Sequence, residues 1–149
     1  MAELKSRVND ALKAAMKSGD KDRVAALRLV TAAVKQYEVD ERSEPDDAAM
    51  LKLLDKMAKQ RRESIEQFES ADREDLAARE RYELSVLQEF LPEPLSDAEL
   101  DGLIEAAMAD TGAASMKDMG RVMGQLKPKI QGRADMAAVS ARIKARLGG

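Results

Sequence analysis

This 149-residue sequence predicts an all-α fold, divided into two small helical domains. Three observations carry that expectation. Ala, Leu, Met, Glu and Lys, all strong helix formers, dominate the chain, and charged residues make up 36% of it. Apolar residues recur three and four positions apart, the period of a helix with one buried face. Strand signals are nearly missing, because few β-branched residues cluster and none alternate with polar ones over a useful length. The length is sufficient to bury a core without metal or disulfide staples.

The elements follow in order. The first helix is expected over about residues 2–18, with Leu4, Val8, Leu12 and Ala15 on one face. Gly19 closes it, and Asp20 is a plausible cap for the second helix, which runs to about residue 39 with Val24, Leu27, Val30, Val34 and Tyr37 inward. DERSEP is a polar break ending at Pro45. Asp46 or Asp47 can cap the third helix, which reaches about residue 69 with Leu51, Leu54, Ala58, Ile65 and Phe68 on one side. The fourth follows ESADRED and carries Leu76, Leu84, Leu87 and Leu91.

PEP, residues 92–94, is the strongest boundary, since two prolines cannot continue a helix. The expected organisation is therefore an N-terminal four-helix domain over 1–91, a proline-containing hinge over 92–95, and a three-helix tail domain over 96–149. Ser96 and Glu99 form a capping box for the fifth helix, which holds Leu100, Leu103, Ile104, Ala107 and Met108 and stops near Gly112. Ser115 and Asp118 form a weaker box before the sixth helix, which Pro128 is expected to end. Asp135 caps the seventh, with Met136, Val139, Ile143 and Leu147 inward and Gly148 at its end.

Composition narrows the function. Cysteine and histidine are absent, which removes disulfides and the usual zinc sites and fits a reducing compartment. No metal and no cofactor is expected. No apolar run is long enough to span a bilayer, because Arg28 interrupts AALRLVTAAV, and MAELKSRVND lacks a signal-peptide core. The expected location is the cytoplasm, with no membrane partner.

Charge is unevenly spread. Residues 115–149 hold eight Lys or Arg against Asp118 and Asp135, a net of +6, which leaves -9 for the first 114 residues. A basic tail on an acidic body points to a polyanionic partner. Cations at helix C-termini account for Arg142, Lys144 and Arg146, but not for the turn LKPKIQGRAD at 126–135.

On a helical wheel, Met119, Val122, Met123 and Leu126 form the core side of the sixth helix. Lys117, Gly120, Arg121, Gly124 and Lys127 fall opposite. Each glycine costs the helix roughly 1 kcal/mol relative to Ala, and packing within the domain does not explain an outward-facing pair. Either the glycines admit another helix, or they bare the backbone so that a sugar-phosphate strand approaches while Lys117, Arg121 and Lys127 reach phosphates. The start of the seventh helix, beside Arg133, would add a weak anion site.

MGQLKPKIQGRADMAAVSARIKARL at 123–147, DMGRVMG before it, and KQRRESIEQFESADREDLAARE and LSVLQEFLPEPLSDAEL in the middle together resemble the GatB/YqeY family across essentially the whole chain. The length resembles a free-standing YqeY-type protein. It is unlike the full B subunit of the aminoacyl-tRNA amidotransferase, which contains such a region as its helical tail. The resemblance implies two helical domains and a tail that grips the outer corner of tRNA. By motif position it assigns contacts to Arg121, Lys127, Lys129 and Arg133, with Gly120 and Gly124 as the approach surface. The expected partners are tRNA and an enzyme of tRNA metabolism. An inherited label of carbon-nitrogen ligase with glutamine as amido-N-donor would be unsurprising.

The residues themselves argue against autonomous catalysis. Moving ammonia from glutamine needs a nucleophile held by a base. The chain has no Cys or His, its few serines are spread mostly as caps, and it has no phosphate-cradling GxxxxGK[ST] or GxGxxG. No catalytic residue is assigned. KQRRE at 59–63 offers a second cationic run. Arg61 lies on the apolar stripe between Ala58 and Ile65, so a structural pair across a helix interface is expected there. All four aromatics (Tyr37, Phe68, Tyr82, Phe90) precede the tail, mostly at core-like positions. Without stacking side chains, the tail would meet phosphate and ribose of a folded RNA, with strong salt dependence. A helical adaptor that docks protein on the glycine face is the alternative.

Overall fold

The computed structural model describes residues 3–148 and is all-α, as the composition and periodicity predict. The predicted start of the first helix at Ala2, and Gly149 at the end of the tail domain, lie outside the described residues. The helices are α1 (Glu3–Ser18), α2 (Lys21–Glu41), α3 (Asp47–Ser70), α4 (Glu74–Gln88), α5 (Asp97–Thr111), α6 (Met119–Ile130) and α7 (Met136–Gly148). Backbone contacts divide the chain into two compact units, one ending at Pro92 and the other beginning at Glu93.

The first unit contains α1 to α4. Val8, Leu27, Val30, Met50, Leu54 and Ala58 are almost fully buried at its centre. Asp46 is the cap of α3 and accepts from the Ala49 N–H at 2.8 Å. Asp47 does something else: its Oδ1 accepts from the Leu4 N–H at 3.0 Å and supplies a partner to the open first turn of α1. Arg61 on α3 reaches Glu83 at 2.6 Å and Glu80 at 3.4 Å on α4, the structural pairing expected of a cation on an apolar stripe. Two expectations need correction. Only Phe90 among the aromatics is fully buried; Tyr37 and Phe68 are half-buried and Tyr82 is exposed, because aliphatic side chains already fill the centre. Leu91 lies beyond α4, which starts within ESADRED at Glu74 and ends at Gln88.

In the second unit, Ile104 and Ala107 of α5 meet Val122, Leu126 and Ile130 of α6 and Val139 and Ile143 of α7. The Ser96–Glu99 capping box is formed on both sides, and Gly112 ends α5 in the left-handed conformation at φ 66°. Met116–Asp118 makes a 3-10 turn that leads into α6.

The expected end of the sixth helix at Pro128 is wrong. Pro128 lies inside α6, which continues to Ile130. Proline cannot donate to the carbonyl four residues back, here that of Gly124. The extra turn is retained because it delivers Ile130 to the core with no exposed surface, one helical repeat beyond Leu126 and two beyond Val122. Burying such a side chain contributes about 1.5–3 kcal/mol, comparable with the proline penalty of about 3 kcal/mol. The chain then reverses through Gly132, whose φ of 76° suits glycine.

Candidate nucleic-acid interface

Amphipathic patterning alone decides which way α6 faces. Val122, Leu126 and Ile130 point into the core, so Gly120, Arg121, Gly124 and Lys127 are turned to solvent and are exposed. Lys117, on the preceding 3-10 turn, and Lys129, in the last turn of α6, are exposed too. A Cβ placed on Gly120 or Gly124 would meet nothing within 4 Å. Both backbones are therefore open, and neither glycine is required by packing inside its own unit. Pro128 continues the Gly120–Gly124 line by one more helical repeat, so a strip without long side chains runs along the outer face. Lys127 and Lys129 lie on opposite flanks of that strip.

The electrostatics differ from the sequence expectation. The unit that begins at Glu93 includes α5, whose acids raise its total to eight, against the same eight cations. Its net charge is zero. Arg142 of α7 pairs with Asp101 at 2.5 Å and Asp97 at 3.3 Å, and Arg146 with Asp101 at 3.6 Å and Glu105 at 3.7 Å. Arg142 and Arg146 are thus matched by a row of acids four residues apart on α5. This lateral pairing was missed when they were assigned only to a helix terminus. The signal existed in the spacing of Asp97, Asp101 and Glu105, but only the packing of α5 beside α7 makes them partners.

Two of the proposed contact residues are engaged. Arg121 pairs with Asp118, which also accepts from the N–H groups of Ala114 at 2.9 Å and Ser115 at 3.2 Å. Those bonds, that of Ala114 foremost, hold the Asp118 carboxyl below its ordinary value. Arg133 donates through Nε to the Glu93 carbonyl at 2.9 Å. Among the described residues, Lys117, Lys127 and Lys129 have no ion-pair partner; a fourth such lysine, Lys144, is on α7. Three ammonium groups without an ion-pair partner among the described residues thus lie on and beside an open glycine face, in a unit whose net charge is zero.

The fold defines a class: a small all-α protein with two helical units and a cationic, glycine-bared helix in the second. Within that class the sequence matches the family described as YqeY-like protein over residues 5–147. The chain belongs to the YqeY-like family. Proteins similar to this chain include fungal ones. The protein named altered inheritance of mitochondria protein 41, mitochondrial, from Pyrenophora tritici-repentis is 32% identical over 95% of this chain and 80% of its own length. Proteins of the same name from Eremothecium gossypii and Saccharomyces cerevisiae are 34% and 29% identical. Those two matches cover 59% and 60% of this chain and 49% of each relative. No described helix is long and apolar enough to cross a membrane.

Proposed function

We propose that the protein is a non-catalytic accessory that binds folded tRNA through its phosphates, using the outer face of α6. The supporting observation is the group of three lysines without ion-pair partners among the described residues, Lys117, Lys127 and Lys129, around the open backbone at Gly120 and Gly124. An unpaired ammonium binds phosphate without first losing an internal partner, and releases counterions on doing so. A helix backbone without Cβ atoms lets a sugar-phosphate strand approach closely. Arg121 lies at the edge of this surface and can exchange Asp118 for a phosphate. Arg133, in the turn after α6, is held by its bond to the Glu93 carbonyl. The absence of aromatics from this unit favours shape-directed contact over base stacking.

The cytoplasmic location read from the sequence belongs to the proposal, although the fungal relatives are named as mitochondrial proteins. An inherited carbon-nitrogen ligase role with glutamine as amido-N-donor would be exercised through an associated enzyme, a tRNA-metabolism partner that this protein would assist.

The test is a titration of purified protein with tRNA across salt concentration. Log affinity should fall with log salt, with a slope of about 0.7–0.9 per phosphate neutralised. Changing Lys117, Lys127 and Lys129 to Glu should abolish binding with the helix content unchanged. Wild-type protein that ignores tRNA at low salt refutes the reading. The glycine face also fits a protein-docking adaptor. That second reading gains if a partner survives nuclease treatment and is lost on Gly124→Leu.

A further inference from the structure

The first unit carries a cationic surface of its own, at the α1–α2 corner. Three recesses follow one another there. The first is lined by Asp10, Lys13, Ala14, Met16 and Lys17. Met16 also lines the second, with Gly19, Lys21, Val24, Ala25 and Arg28. Ala25 continues into the third, where Leu29, Phe68 and Leu76 form the apolar part. The shared residues Met16 and Ala25 set the three recesses side by side, as a shallow groove.

Its chemistry is mixed in a specific way. Met16 is 48% exposed and Leu29 42%, two of the few large apolar side chains the protein leaves in water. Lys13, Lys17 and Lys21, which share recesses with Met16, have no ion-pair partner among the described residues, and Arg28 reaches only the Met16 sulfur at 4.0 Å. The unit as a whole is acidic, so four such cations beside a row of exposed apolar groups are not its background. In the third recess the charges are already matched, Arg61 by Glu80 and Glu83, and Arg79 by Glu83 at 3.8 Å.

We propose that this groove docks an acidic amphipathic helix of a protein partner. Apolar anchors repeating at i, i+3 or i+4 and i+7 would fill successive recesses, from Met16 past Ala25 to Leu29. Acidic side chains flanking those anchors would meet Lys13, Lys17, Lys21 and Arg28. Asp10, Glu80 and Glu83 at the two ends confine favourable anionic contact to the stretch between them, which suits a short helix better than an extended anionic lipid surface. A phosphate backbone would leave the exposed methyl groups of Met16 and Leu29 uncovered. This surface is independent of the α6 face and of the tRNA reading.

The probe is a short, fluorescently labelled synthetic helix with Leu at i, i+3/i+4 and i+7 and Glu elsewhere. Its controls are a scrambled peptide of the same composition, phosphatidylserine vesicles, and tRNA. The patterned peptide should bind the full chain and shift the Met16 methyl resonance. Lys17→Glu with Lys21→Glu, and separately Leu29→Ser, should each weaken binding by about tenfold or more, with an unchanged unfolding midpoint. In those variants tRNA affinity should stay as in wild type. No peptide binding, equal binding of the scrambled peptide, or indifference to Leu29→Ser overturns the proposal. So does vesicle or tRNA binding that the Lys17 and Lys21 changes remove, or a dimer in sedimentation that buries Leu29.

Discussion

Arg133 and Glu93 are joined across 40 positions of sequence. The guanidinium Nε of Arg133 donates to the Glu93 carbonyl at 2.9 Å, and the Arg133 carbonyl accepts the Leu95 N–H, also at 2.9 Å. An arginine read from its motif as a phosphate contact is therefore also a clamp on the segment that enters α5. Arg133→Ala should destabilise the second unit by about 1 kcal/mol, the usual net loss of one hydrogen bond. The urea midpoint measures this. The same variant should reduce tRNA affinity less than Lys127→Ala does; an equal loss would restore Arg133 as a direct contact.

Ile130 and Lys129 are neighbours with opposite fates. Ile130 has no exposed surface, and Lys129 is in solvent. Ile130→Ala should cost about 2–5 kcal/mol, the range for emptying a buried aliphatic site. Lys129→Ala should change stability by less than about 0.5 kcal/mol. Chemical unfolding of both variants measures the contrast; equal tolerance at the two positions would argue against the burial of Ile130.

Gly120 and Gly124 separate stability from binding. Nothing lies within 4 Å of a Cβ added at either position, and neither has a positive φ. Replacing each by Ala should stabilise the second unit by roughly 1 kcal/mol through helix propensity and a less flexible unfolded chain. The double variant should melt at higher temperature yet bind tRNA more weakly. If affinity is unchanged, close backbone approach plays no part in binding.

Two acids set a pH dependence for the second unit. Hydrogen bonds from Ser96 hold the Glu99 carboxyl below its ordinary value, and backbone N–H groups with Arg121 do the same for Asp118. A group depressed on folding adds stability that is complete above its unfolded value, near pH 4, and is lost as pH falls through the folded value. The thermal midpoint should hold from pH 7 to about 5 and then drop. Glu99→Gln with Asp118→Asn should flatten that drop; an equally steep fall in the variant would assign it to other carboxylates.

Much of this protein was settled by local physics. Helix-forming composition and the three-to-four spacing of apolar residues determined an all-α chain. Ser96, Glu99 and Gly112 marked ends, and the Asp46–Asp47 pair a start, because capping needs only neighbours a few residues away. The outward face of α6 was legible for the same reason: once Val122 and Leu126 point inward, helical geometry turns Gly120 and Gly124 outward.

Tertiary packing decided the rest, because those terms couple distant residues. Pro128 alone argues for a helix end, and only the core site waiting for Ile130 outweighs it. Arg142 and Arg146 look available until α5 brings Asp97, Asp101 and Glu105 alongside. Arg133 looks free until Glu93 arrives. Counting cations along the chain overstated the basic surface, since whether a charge is available depends on which acid lies within reach once the helices pack.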